Sequence, residues 1–205
     1  MSAATMDSNR ENESGESVEL DINHLANQAI KLFSKRYAKA FDTHIDVRRS
    51  GIVKKEEYTN FCTRQFEDEL RSKAIEIADK QWQVMTGGCG NVVVELSRKR
   101  CIELCIDGYH STDVTKREYL KTLLIDVGNF HFDLIDRDHD GYITPEEWID
   151  WTRMLGNSDT WRGAFAVMDV NGDGKIERKE WTDCFVGFFC YIDEERFSHF
   201  FGLLR

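Results

Sequence analysis

The sequence predicts an all-α protein of four helix–loop–helix units arranged in two pairs, with short β-bridges joining the paired loops. Three observations carry that expectation. Two Asp-rich stretches of twelve residues, 136–147 and 169–180, repeat one spacing 33 residues apart. Apolar residues on either side of them recur at helical spacing, and nothing alternates over strand length. The chain has a single proline, Pro145, so little interrupts helices.

Taken in order, residues 1–22 carry six acids and one base with few hydrophobics, which reads as a disordered acidic tail. From His24 the pattern turns helical, with Leu25, Ala29, Ile30, Phe33, Tyr37 and Phe41 on one apolar face. A second periodic stretch runs through Tyr58, Phe61, Cys62, Phe66, Leu70, Ile77 and Trp82. It stops at Gly87-Gly88-Cys89-Gly90, a cluster that breaks helices. Asn91 is then the expected N-cap of a helix through Leu96, Ile102 and Cys105. Another helix covers Leu120, Leu123, Leu124, Val127, Phe130 and Phe132 and leads into the first Asp-rich stretch. The expected divisions are 1–22 as tail, 23–125 as the first pair and 126–205 as the second.

The two Asp-rich stretches share a pattern with a chemical reason. Oxygen side chains stand at positions 1, 3, 5 and 12, glycine at 6 and isoleucine at 8. Ca²⁺ is a hard cation that takes about six to eight oxygens at roughly 2.3–2.6 Å, and a short loop surrounds it by turning alternate residues inward. In the first loop Asp136, Asp138 and Asp140 supply carboxylates, Tyr142 a backbone carbonyl, Thr144 a hydroxyl or bridging water, and Glu147 both carboxylate oxygens. In the second, the same places are held by Asp169, Asn171, Asp173, Lys175 (through its carbonyl), Glu177 and Glu180. Thr144-Pro145-Glu146-Glu147 also opens the exiting helix, with Thr as N-cap, Pro first and Glu third. Turn-forming Asp/Gly clusters are common, but both loops follow apolar entry residues, Phe132 and Ile135 before one, Phe165 and Met168 before the other. Two bound Ca²⁺ ions are expected.

Two weaker repeats follow from the same template. Residues 46–57 keep Asp46, Gly51 and Glu57 but place Arg48 and Lys54 where oxygens belong. Residues 107–118 keep Asp107, Val114 and Glu118 but lose the position-6 glycine to Thr112. Cationic side chains inside a divalent site repel the ion in loop 46–57, and loop 107–118 also lacks an oxygen ligand at position 3, where Tyr109 stands, so both loops are read as scaffold without metal and no third ion is expected at Asp46–Glu57. The position-8 residues should bridge in pairs, Val53 with Val114 and Ile143 with Ile176.

The net charge of −10 lies in the tail and the two strong loops, and the remaining residues carry 22 acids and 22 bases. With no basic stripe, no nucleic-acid partner is expected. No run of apolar residues is long enough to span a membrane. The N-terminus lacks the apolar core of a signal peptide, so a cytoplasmic setting with six reduced cysteines is expected. No nucleophile, phosphate loop or catalytic metal set is apparent, so the chain is not expected to be an enzyme, and a monomer is expected.

The four-loop layout, the long spacer between the first two loops, the weak second loop and the terminal Phe197-Ser-His-Phe200-Phe201-Gly202-Leu203-Leu204 resemble a known group. It is the four-unit EF-hand proteins, which include sarcoplasmic calcium-binding proteins, calexcitin and luciferin-binding proteins. The resemblance covers about residues 24–205. It implies one globule whose C-terminal segment packs between the halves. Loops one, three and four are the usual binders in that group, and here Arg48 and Lys54 depart from the pattern in loop one. Only Met154 and Met168 lie in the second half, against Phe185, Phe188, Phe189, Tyr191, Phe197, Phe200 and Phe201. Sensors favour adaptable Met-lined grooves, so a closed Ca²⁺ buffer or signal modulator is the primary reading. A sensor with a protein target stays open as an alternative. So does a carrier of a small apolar ligand, its cavity lined by Trp82, Trp148, Trp151, Trp161 and Trp181.

Overall fold

The computed structural model describes residues 10–46, 48–64, 67–154, 161–192 and 197. Among them are eight α-helices: α1 (Arg10–Ala40), α2 (Lys55–Thr63), α3 (Asp68–Met85), α4 (Arg98–Tyr109), α5 (Val114–Ile135), α6 (Pro145–Met154), α7 (Trp161–Met168) and α8 (Arg178–Cys190). Four short strands complete the set: β1 (Ile52–Lys54), β2 (Glu95–Ser97), β3 (Tyr142–Ile143) and β4 (Ile176–Glu177). The strands form two antiparallel pairs, β1 with β2 and β3 with β4. The protein is mostly helical, four helix–loop–helix units in two pairs, as its sequence indicates.

Helix α1 begins at Arg10, inside the stretch read as a disordered tail. Helix propagation adds one hydrogen bond per residue once a nucleus exists, and acids near a helix start suit its dipole, so the tail's composition does not prevent the extension. Residues 1–9 lie outside the described residues. The apolar face of α1 is buried only from Leu32 onward: Phe33, Tyr37 and Phe41 are buried while Leu25 and Ile30 are exposed. A π-helical turn, Phe41–Ile45, widens its last turn, with the Asp46 N–H donating to the Phe41 carbonyl at 2.9 Å.

The second unit differs from its expected place. Val53 pairs with Leu96, not Val114. Val114 is the first residue of α5 and is exposed. Residues 107–118 are the corner between α4 and α5, where Asp113 caps α5 by accepting from the Lys116 N–H at 3.2 Å. The helix expected to start at Asn91 starts at Arg98, with Ser97 as its N-cap. The division between residues 125 and 126 falls inside α5, because that helix runs unbroken from Val114. The stretch from Tyr58 to Trp82 is two helices, α2 and α3, and Phe66 between them lies outside the described residues.

Packing joins the halves. Helix α5 lies between α3 and α8, and α1 packs on α4 and α8. One continuous core takes in Tyr37, Trp82, Leu120, Phe132, Trp181 and Phe189. The buried indoles are satisfied: Trp82 donates to the Val93 carbonyl at 2.9 Å and Trp181 to the Gly128 carbonyl at 2.7 Å. The glycine cluster has a packing role. A Cβ on Gly87 would sit 1.8 Å from the Leu104 carbonyl oxygen, and Gly87 itself has φ +58°, so only glycine lets α3 end against α4.

Arg36 is wholly buried and reaches across to α8, donating to the carbonyls of Tyr191 (2.5 Å) and Phe188 (3.4 Å). A cation at those last-turn carbonyls satisfies the orphan acceptors of the helix end and opposes its dipole. Beside it the Tyr37 hydroxyl donates to the Phe189 carbonyl at 2.7 Å and lies 2.9 Å from His110 Nε2. Phe197 is buried, and a Cβ on Gly187 would meet its ring at 2.2 Å. The segment 198–205, expected between the halves, lies outside the described residues.

Candidate metal centre

Three loops share one backbone. In each, the position-1 aspartate accepts from the N–H groups of positions 5 and 6. Asp136 accepts from Asp140 (3.1 Å) and Gly141 (3.0 Å). Asp169 accepts from Asp173 (3.1 Å) and Gly174 (3.0 Å). Asp46 accepts from Ser50 (2.7 Å) and Gly51 (2.6 Å). The position-6 glycines have φ of +82° (Gly51), +90° (Gly141) and +85° (Gly174), a region closed to most L-residues. Position 4 is also left-handed, held by Arg49 (φ 55°), His139 (φ 58°) and Gly172 (φ 72°).

In loop 136–147 the structure gathers the side chains expected to be the first, third and twelfth ligands. Oxygens of Asp136, Asp138 and Glu147 all lie within 4.8 Å of one another. Asp140 lies in the same turn, its Oδ1 accepting from the Tyr142 N–H at 2.9 Å. The exit helix starts with a reciprocal cap. Glu147 Oε2 accepts from the Thr144 N–H (2.9 Å) and hydroxyl (2.8 Å), while the Glu147 N–H donates back to the Thr144 hydroxyl at 3.3 Å. Glu147 Oε1 accepts from the Arg137 N–H at 2.8 Å. Partial burial pushes this carboxyl up, but the bonds from Thr144 and the N–H groups of Arg137 and Asp138 outweigh it and hold Glu147 below the usual glutamate range. The twelfth residue is therefore ionised and pointed back over the loop before any cation is added.

Loop 169–180 is built alike. Glu180 accepts from Val170 (2.9 Å) and Asn171 (3.2 Å) through Oε1 and from Glu177 (2.9 Å) through Oε2. Glu177 caps α8 in a reciprocal box with Glu180. Asn171 Oδ1 accepts from the Asp173 N–H at 2.9 Å, and Asp173 Oδ1 from the Lys175 N–H at 3.1 Å. The two loops meet through Tyr142↔Glu177 and Ile143↔Ile176, the bridge expected from position 8. Both isoleucines are fully buried. The sequence assigned Tyr142 and Lys175 only through their carbonyls, but their side chains also pack together, with Lys175 Nζ 3.2 Å from the centre of the Tyr142 ring.

The donors are all oxygens, several of them carboxylates, in loops whose backbone already turns them inward. That set suits a hard divalent cation and fits Ca²⁺, with Glu147 and Glu180 free to offer their remaining lone pairs. Loop 46–57 has the turn but a different lining: a cavity of about 40 Å³ is bounded by Asp46, Arg48, Ser50, Glu57, Tyr58 and Phe61 among others. The second unit's loop, opposite β1, has Cys89 and Arg100 at the places where Asp136 and Glu147 stand in the third. Its sequence signals were Val92-Val93-Val94 after the glycine break and Ser97 ahead of a helix, and neither is a metal signature.

Comparison with known proteins agrees with this geometry. The EF-hand domain model matches residues 130–156 and the EF hand model residues 162–186. Mitrocomin from Mitrocoma cellularia is 37% identical over 70 residues, covering 32% of this chain and 35% of mitrocomin. The match thus spans about a third of that relative's length. The solved structure of mitrocomin, described as a Ca²⁺-regulated photoprotein, covers 84% of this chain and 91% of its own with a TM-score of 0.63 at 19% identity. A sarcoplasmic calcium-binding protein from amphioxus covers 83% and 96% with a TM-score of 0.62 at 14% identity. The coelenterazine-binding protein of Renilla muelleri covers 86% and 96% with a TM-score of 0.55 at 19% identity. At such identities the structures establish the fold. The chain is a calcium-binding EF-hand protein with the four-unit fold of the sarcoplasmic calcium-binding proteins and photoproteins.

Proposed function

We propose that this protein is an intracellular Ca²⁺ buffer or signal modulator that binds two ions, at Asp136–Glu147 and Asp169–Glu180, and is not an enzyme. The observation that carries the reading is the closed second half. Helix α8, which brings Glu180 to its loop, has Phe185, Phe188 and Phe189 in the shared core, and its C-terminal end is tied to α1 by Arg36 and Tyr37. A sensor has to present an apolar groove when loaded, and here that surface is spent within the molecule. Arg48 and Lys54 argue against a third ion in loop one. All six cysteines are free thiols, the state a reducing compartment favours. No described helix is long and apolar enough to cross a membrane. The test is a calorimetric Ca²⁺ titration followed by apolar-dye binding. Two ions with little gain in dye fluorescence support the reading, and a large gain replaces it with a sensor.

One observation favours a second reading, a Ca²⁺-regulated carrier of a small apolar ligand. His131 is half-buried beside aromatic rings, 5.9 Å from both Trp151 and Phe185 and 6.3 Å from Phe130. Burial pushes its imidazole down to about 4, so it is neutral at physiological pH and can hydrogen-bond a polar group on an apolar guest. The Renilla muelleri protein with this fold is named for binding coelenterazine. An organic ligand released on denaturing the purified protein, identified by mass spectrometry, would select this reading.

A further inference from the structure

We propose that position 3 ranks the two calcium loops: Asp138 makes 136–147 the tighter site, filled first, and Asn171 makes 169–180 the weaker one. The inference rests on the two-ion reading above. Each loop offers four carboxylates at its ligand positions, but in different places. In loop 136–147 they stand at positions 1, 3, 5 and 12, which ligate directly. In loop 169–180 the Asn171 amide takes position 3, and the fourth charge moves to position 9, at Glu177. Position 9 often reaches the ion through a water, and the Glu177 side chain is already engaged, accepting from the Glu180 N–H as the cap of α8. Thr144 caps α6 in the same way without a charge, accepting from the Glu147 N–H at 3.3 Å. Loop 136–147 therefore offers one more carboxylate for direct contact, and the charge of the ligand set is a main determinant of Ca²⁺ affinity.

The two position-3 side chains are held alike and differ in charge. Asp138 Oδ1 accepts from the Asp140 N–H at 3.2 Å, and Asn171 Oδ1 from the Asp173 N–H at 2.9 Å. Asn171 also turns its Nδ2 to Asp173 Oδ2 at 3.4 Å, occupying an oxygen of the next ligand. A carboxylate at Asp138 has no such donor, and its oxygen lies within 4.8 Å of oxygens of Asp136 and Glu147. Among the described residues no other three acidic side chains converge so closely, those of loop 169–180 included. Like charges at that spacing repel one another in an empty loop, and a divalent cation relieves the repulsion. The neighbouring charges act in the same direction. Loop 136–147 has five acids and one base, Arg137, whereas loop 169–180 has four acids and three bases, Lys175, Arg178 and Lys179.

The experiment is a Ca²⁺ titration of the full chain followed by amide NMR. Gly141 and Gly174 report one loop each, because their N–H groups donate to Asp136 and Asp169. Below one equivalent of Ca²⁺ the Gly141 resonance should change while Gly174 stays in place. Calorimetry with a competing chelator on Glu180→Gln and Glu147→Gln, which leave one working loop each, should give binding about tenfold tighter for loop 136–147. Exchanging the two residues, Asp138→Asn with Asn171→Asp, should reverse the order in which the glycines respond. Both replacements are nearly isosteric and keep the Oδ1 acceptor, so the loops should retain their turns. Gly174 responding first or in step with Gly141, or equal constants in the single-loop variants, overturns the ranking. An unchanged order in the exchanged chain overturns position 3 as its cause. A parent protein that binds a number of ions other than two overturns the two-ion reading, and the ranking with it.

Discussion

Replacing Glu147 by glutamine separates the ion's contribution from that of the apo fold. In the structure one carboxylate accepts from the Arg137 N–H at 2.8 Å, the Thr144 N–H at 2.9 Å and the Thr144 hydroxyl at 2.8 Å, with the Asp138 N–H beside them. Glutamine keeps one acceptor oxygen and turns an NH₂ toward a former donor. Hydrogen bonds to a charged group contribute about 1.5–3 kcal/mol each and an unmatched donor costs about 1–3 kcal/mol. Part of the loss is recovered through the exposed rim, so the apo protein should lose about 1–3 kcal/mol in urea unfolding with chelator present. Calcium loses a charge and one of two oxygens. A deficit of about 3 kcal/mol in site affinity is roughly a hundredfold, enough to remove one ion from a micromolar calorimetric titration. Glu180→Gln should do the same at the other loop, where the carboxylate accepts from Val170, Asn171 and Glu177. Retention of two ions by the double variant would refute the assignment of both loops.

Three further outcomes follow from the same geometry. Arg48→Asp with Lys54→Thr should create a third site, because Asp46 already holds Ser50 and Gly51 in the shared turn and Glu57 stands at the twelfth position; a titration that still saturates at two ions would show that the turn is not sufficient. Arg36→Met keeps volume but strips the last-turn carbonyls of α8 of a buried donor, so urea unfolding should show a loss of about 2–4 kcal/mol, and an unchanged midpoint would mean the clamp does not hold the halves. His131 should impose an acid limit. Its folded value is pushed down from 6.5 to about 4, so the unfolded chain takes up the proton first, and stability present above pH 6.5 is lost as pH falls toward 4. The loss is at most about 3 kcal/mol. Unfolding of the parent and His131→Phe with chelator from pH 7 to 4.5 should show a flatter profile for the variant, and parallel profiles would exclude His131 as the cause.

Some of this was open to reading along the chain and some was not, for a physical reason in each case. A calcium loop is a local object. Its ligands, its left-handed glycine and the cap of its exit helix fall within twelve consecutive residues, so Asp136–Glu147 and Asp169–Glu180, and the pairing of Ile143 with Ile176, could be read directly. A loop that has lost its ion keeps no such local demand. The template drew attention to Asp107 and Glu118, which stand on either side of a corner capped by Asp113, while the strand that pairs with Val53 stands at Leu96 in a stretch ending in Arg98, Lys99 and Arg100. Only hydrogen bonding across the bridge determines that register. The same holds for Arg36 and Tyr37. On the sequence they are one charged and one apolar residue of an amphipathic helix, and their role depends on α8 arriving, some 150 residues later, with its last carbonyls against them. The sequence by itself determined that this protein carries two EF-hand loops, and where in the chain they stand. Tertiary structure decided which segment completes the second unit, how the last helix is tied to the first, and that the apolar faces close on each other, because those depend on contacts between residues far apart in the chain.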